Sequence, residues 1–246
     1  MATSFGALAT DFYINAKLGV KLDLPQGRET VMDFFQRLRR QQPRLSRVRR
    51  YSNELALEAA EDDSLWVALR RTSVRAGVVN PDALADAYAL HQLVLATAPF
   101  YLSISPLDVD LLEVVFGFDF EASGNHNQLV WDALLADSPL ARLVGEDAQH
   151  IVDAQPIVGV ALDDDCSAQA FFEVKTRTSS QDIRQRRAPA QPLSVYVTLR
   201  HQGPLEDIRE LPSRFDALAR MGEELVEQRA IPHLIAPLRD AIASGA

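Results

Sequence analysis

From Ile14 to Leu24 apolar and polar residues alternate without a break, with Ile14, Ala16, Leu18, Val20, Leu22 and Leu24 on one face and Asn15, Lys17, Gly19, Lys21 and Asp23 on the other. Side chains of an extended chain point to opposite sides in turn, so a strand with one buried and one wet face is expected here. The pattern returns 96 residues later, where Leu112, Val114, Phe116, Phe118 and Phe120 alternate with Glu113, Val115, Gly117 and Asp119. The next segment keeps the shift. Phe34, Phe35 and Leu38 fall on Val130, Trp131 and Leu134, both sets at the spacing of one helix face. Pro43 falls on Pro139, so both helices are expected to stop at the same place. Between 17–48 and 113–144 only four residues are identical, so the shared pattern of strand, helix and stop carries the repeat.

Each half continues alike. Arg47–Ala60 and Leu65–Ala76 read as two strands around Glu61-Asp62-Asp63; Ile157–Leu162 and Gln169–Thr178 flank Asp163-Asp164-Asp165. Asn80-Pro81 then opens a helix, with Asn80 as N-cap, that runs to Ala98 before Pro99. In the second half a strand over Leu193–Arg200 precedes helices over Ser213–Gln228 and Pro232–Ala243. The fold class is therefore α+β: tandem strand-helix-strand-strand-helix halves, 1–105 and 106–246, forming one curved antiparallel sheet with helices on one face. Only Ser103-Ile104-Ser105-Pro106 joins the halves, which favours close packing as one pseudo-twofold unit over two separate domains. In element order this resembles the TATA-box-binding-protein-like architecture over most of the chain. No sequence motif accompanies the resemblance, so it implies a fold and no function.

If helices cover one side of the sheet, the other is left for a partner. With Leu65, Val67 and Leu69 inward, Trp66, Arg70 and Thr72 point outward. With Phe172 and Val174 inward, Phe171, Glu173, Lys175 and Arg177 point outward, and with Val195, Val197 and Leu199 inward, so do Tyr196, Thr198 and Arg200. Exposed aromatics mixed with basic side chains suit an interface. Trp66, Arg70, Phe171, Lys175, Arg177 and Tyr196 are the candidate contact residues, and a shift of 105 sets Trp66 on Phe171 and Arg70 on Lys175.

Charge and cysteine content narrow the partner class. The 246 residues carry net −9, split into 13 Lys+Arg against 11 Asp+Glu in 1–105 and 12 against 23 in 106–246. That field disfavours nucleic acid and anionic membranes. No apolar run approaches the ~18 residues of a membrane span, and Met1–Phe5 lacks the basic and apolar regions of a signal peptide. Cys166 is the only cysteine, which excludes an intrachain disulfide or a thiolate metal cluster and suits a reducing cytoplasm.

Local motifs read mostly as structure. The run Arg37, Arg39, Arg40, Arg44, Arg47, Arg49, Arg50 is expected as a solvated helix end and its continuation, where cations complement the helix dipole. In Gly124-Asn125-His126-Asn127, Asn125 reads as an N-cap; the acidic run before Cys166 reads as a hairpin turn; His91, on an apolar stripe with Leu84, Tyr88 and Leu95, reads as a hydrogen-bonded core residue. Ser179–Pro192, with Arg184, Arg186 and Arg187, is expected as a mobile loop that orders on an acidic partner. Phosphate-loop, dinucleotide, metalloprotease and hydrolase motifs are absent, and no metal or cofactor is expected.

A noncatalytic binding or assembly protein is the leading expectation, engaging a protein partner or a second copy through the open face. A small-ligand groove between helices and sheet, lined by Phe34, Phe35, Phe116 and Phe118, is the second. An enzyme built around Asp119, His126 and Lys175 is the third.

Overall fold

A computed structural model describes residues 3–244. Met1 and Ala2, which open the N-terminal segment considered above, lie outside them. Among the described residues nine strands form one antiparallel sheet. They are β1 (Asp11–Val20), β2 (Leu45–Arg50), β3 (Leu55–Ala59), β4 (Leu65–Arg70), β5 (Ser73–Val79), β6 (Val109–Phe120), β7 (Ile157–Ala161), β8 (Ala168–Lys175) and β9 (Leu193–Gln202). Their order is β2-β3-β4-β5-β1-β6-β9-β8-β7, so one sheet runs through both halves and its central pair takes a strand from each.

The long alternations become the two central strands. Phe12, Ile14, Ala16, Leu18 and Val20 of β1 and Leu112, Val114, Phe116, Phe118 and Phe120 of β6 are all buried on the same face. Of the helices α1 (Arg28–Gln41), α2 (Leu84–Leu102), α3 (His126–Val130), α4 (Ala141–Val144), α5 (Ser180–Gln185) and α6 (Leu211–Leu225), the three long ones, α1, α2 and α6, pack onto that face. Phe34, Phe35 and Leu38 of α1, Leu90 and Val94 of α2, and Phe215 and Leu218 of α6 are each no more than 3% exposed. The core thus lies between sheet and helices, and the expected ligand groove is not there: Phe34, Phe35, Phe116 and Phe118, at 0–1% exposure, are that core.

Several expected boundaries moved. Arg47–Ala60 and Leu65–Ala76 are not single strands. Each folds into a hairpin, β2–β3 through Tyr51–Glu54 and β4–β5 through the two-residue turn Arg71-Thr72. Neither turn carries the glycine or proline that would have marked it. The first alternation overran its strand by four residues, leaving Leu22 at 66% exposure. Asn80 caps no helix. It sits at φ 48°, accepts the Phe12 amide on Oδ1 and donates to Asp11, while α2 starts at Leu84.

Two of the expected proline stops lie inside helices. Pro99 lies inside α2, whose last turn is held by burial of Thr97, Ala98, Pro99 and Leu102. Pro232 lies inside a π-helical stretch, Val226–Ile235, that joins α6 to a last helix, Ala236–Ser244, without a break. The wider π turn tolerates the residue that an α-helix would expel. No described helix is long and apolar enough to cross a membrane.

Candidate binding face

Among the described residues no long helix packs on the second face of the sheet, and cross-strand pairing sets out its side chains in rows. One row runs Glu58, Trp66, Gly77, Asn15, Val115, Thr198, Phe171, Gly159, from β3 to the edge strand β7. Trp66 and Phe171, from different halves, therefore stand in the same row on the same face, five positions apart. Both are partly exposed.

Three large aromatics of this face each lie over a glycine of a neighbouring strand. A methyl on Gly77 would overlap the Trp66 indole, one on Gly117 the Tyr13 ring, and one on Gly159 the Phe171 ring. The missing side chain lets a flat ring lie down on the backbone. A guanidinium attends two of the rings: Arg75 at 5.6 Å from the Trp66 centroid and Arg200 at 4.9 Å from that of Phe171. Ring, glycine and arginine recur in both halves, and the aromatic area stays half-open to solvent.

The next row reads Ala68, Arg75, Lys17, Glu113, Arg200, Gln169. Arg200 grips Glu113 through Nε and Nη2 at 2.9 and 2.7 Å. Arg75 and Lys17 have no ion pair among the described residues. Burial, and then repulsion by Arg70, hold the Arg75 guanidinium below its ordinary pKa.

The two ends of the strands differ. At one end Tyr13 donates to Asp119 at 3.1 Å, its ring 6.4 Å from that of Tyr196, whose hydroxyl accepts from Arg177 at 3.2 Å. Burial, then Tyr196 and Asp119, push the Tyr13 phenol well above its ordinary range, so it stays protonated. Lys175 belongs to this end, since it pairs with Ser194 and Ser194 with Asp119. Arg70 belongs to the other end, bonded to Glu54 at 2.7 Å.

The expected contact residues thus share a face but not a patch. Trp66 and Phe171 align in one row; Lys175, Arg177 and Tyr196 gather at one end; Arg70 stands at the opposite end. Tyr13, Arg75, Gly77 and Gly159 also belong to the face, and alternation alone does not single them out, although a glycine in mid-strand is itself a signal of close approach.

The Ser179–Pro192 segment carries a short helix, α5 (Ser180–Gln185), closed by a Ser179–Asp182 capping box, with Arg187 bonded to Asp182 at 2.9 Å. Arg184 and Arg186 point to solvent. Ala188–Pro192 borders a hollow beside Asp11 and Asp119, so the segment rims the Asp119 end of the face.

The expected catalytic trio does not assemble. Asp119 and Lys175 are two strands apart, and His126 is wholly buried with Nε2 3.0 Å from the Ala122 carbonyl. Asn125 does cap its helix, accepting the Asn127 amide at 3.0 Å. Its neighbour Asn127 ties Val152, Ala154, Thr176 and Thr178 together through four hydrogen bonds. The acidic turns are backbone-bonded hairpins, with Asp62 accepting the Ser64 amide and Asp163 that of Ala168. Three of the seven arginines of the basic run are paired within the fold: Arg44 on Asp62, Arg47 on Glu58 and Asp63, and Arg49 on Glu58.

Compared with known proteins, the sequence matches no family model and no curated protein. The face must be read from its own chemistry.

Proposed function

We propose that this chain is a noncatalytic assembly protein that docks a second copy of itself through the open sheet face. The observation that carries the reading is the row in which Trp66 and Phe171 lie flat and half-exposed on a face no long helix covers. Partly exposed aromatics beside arginines are the composition of interface anchors. Charge favours a like partner. Lys17, Arg75 and Lys175 have no ion pair among the described residues, and neither have Asp11, Asp119 and Glu173, so a copy supplies each sign with the other. The area suffices as well. Nine strands at ~4.8 Å, over ~6 residues of each, span roughly 800 Å², about what one partner gives to a stable interface.

Two further parts belong to the same proposal. The halves are read as copies of one ancestral unit, with the saddle-like layout that the element order resembles. In support, the order outward from the central pair is β5, β4, β3, β2 on one side and β9, β8, β7 on the other, so that three strands match on each side and β2 is additional. The 96-residue shift also carries Lys17 onto Glu113, its own cross-strand partner, as a twofold axis through that pair requires. A cytoplasmic setting is supported by the exposed free thiol of Cys166.

The test is molecular mass in solution. Wild type is expected as a dimer of the 27.3 kDa chain, and the Trp66→Ala/Phe171→Ala double variant as a folded monomer.

A further inference from the structure

Where β1, β4 and β5 end near Gly19, the side chains of the open face shrink. Ser73 pairs with Gly19 on one side and Arg70 on the other. Above them opens a hollow of about 530 Å³, with Lys17 and Arg75 on its wall. Ser73, in the floor, is 5% exposed, and its hydroxyl has no hydrogen-bond partner among the described residues.

The charges here do not balance. Lys17 and Arg75 are direct cross-strand partners, and neither has an ion pair. Arg70 spends Nε on Glu54, which leaves its terminal nitrogens, and Arg71 is taken by Asp23. Of the two carboxylates that line the hollow, Glu113 is committed to Arg200 and Asp110 stands exposed at the rim. Two cations without an ion pair and a hydroxyl without a hydrogen-bond partner therefore line one space. Such donors suit oxygens that carry more than one negative charge and accept several hydrogen bonds.

We propose that this hollow binds a phosphate-type anion, with the Lys17 ammonium, the Arg75 guanidinium and the Ser73 hydroxyl as its donors. An anion there relieves the mutual repulsion of the cations and gives Ser73 its missing acceptor. The phosphoryl group arrives either on a small phosphate ester or on a phosphorylated side chain of a docked protein. Only the second source rests on the docking role proposed above.

The experiment is calorimetric titration with inorganic phosphate at constant ionic strength, at a dilution where light scattering returns the monomer mass. Its outcome then does not depend on self-association. Saturable binding is expected, weakened at least about tenfold, or ~1.4 kcal/mol, in Lys17→Met and in Arg75→Gln. Arg39→Gln, which removes an exposed cation of α1 outside this hollow, leaves it unchanged. Arg75→Lys, which keeps the charge, is the second variant if Arg75→Gln fails to fold. A short phosphoserine peptide that binds more tightly than inorganic phosphate assigns the protein source; equal or weaker binding assigns the small ester. Phosphate that binds no better than chloride, or as well in Lys17→Met and Arg75→Gln as in wild type, overturns the site.

Discussion

His91 makes the stability of this fold depend on pH in a calculable way. Its ring is fully buried between α2 and β1, with Nε2 3.1 Å from the Ile14 carbonyl, the Phe215 ring 5.3 Å away, and no partner at Nδ1. Burial lowers its pKa from 6.5 to about 4 against a smaller opposing effect of the Ile14 bond. Above pH 6.5 the imidazole is neutral folded and unfolded, and it contributes no pH dependence. Below 6.5 the unfolded chain takes up a proton that the folded one refuses, so stability is lost as pH falls and the loss levels off near 4. At about 1.36 kcal/mol per unit the full loss is roughly 3 kcal/mol, a large share of the stability of a typical domain. His126 and His201 also have lowered pKa values, so a difference isolates the effect. The comparison is His91→Gln, whose amide can still donate to Ile14. Urea unfolding of both proteins from about pH 7.5 to 4.5 should show the advantage of wild type shrinking by about 2–3 kcal/mol. A difference that stays constant with pH would refute the reasoning.

Two predictions concern other supports of the fold. Asn127→Ala removes four buried hydrogen bonds that hold Val152 and Ala154 against Thr176 and Thr178. It should cost about 3 kcal/mol or more in urea unfolding, with amide exchange rising first in 150–156; a cost below about 1 kcal/mol would count against the hub. Gly77→Ala pushes a methyl into the Trp66 ring and Asn15 Oδ1, so it should destabilise by about 1–3 kcal/mol and shift the Trp66 emission. An unchanged spectrum would mean that the indole does not lie on Gly77.

What the sequence made legible was periodicity, and what it hid was neighbourhood. The alternation in β1 and β6 exposes its phase in the order of residues, which is why the outward assignment of Trp66, Phe171 and Tyr196 agrees with the pairing. Which strand lies beside which is a long-range property. Arg70 and Lys175, equivalent by shift, therefore turned out to stand at opposite ends of the face, because β4 and β8 run in opposite directions across five antiparallel steps. Turn and stop signals misled where tertiary burial outweighed local preference, at Pro99 and Pro232, or where a polar side chain found a distant partner, as Asn80 did with Phe12. The hollow above Ser73 was invisible because it depends on Gly19 and Ser73 becoming neighbours.

The account's central claim is that the open face is a docking surface for a second copy, and mass by light scattering after size exclusion tests it most directly. Wild type should elute at twice 27.3 kDa, and the Trp66→Ala/Phe171→Ala variant at 27.3 kDa with an unchanged circular dichroism spectrum. A wild-type monomer at every concentration, or a dimer that survives both substitutions, would contradict it.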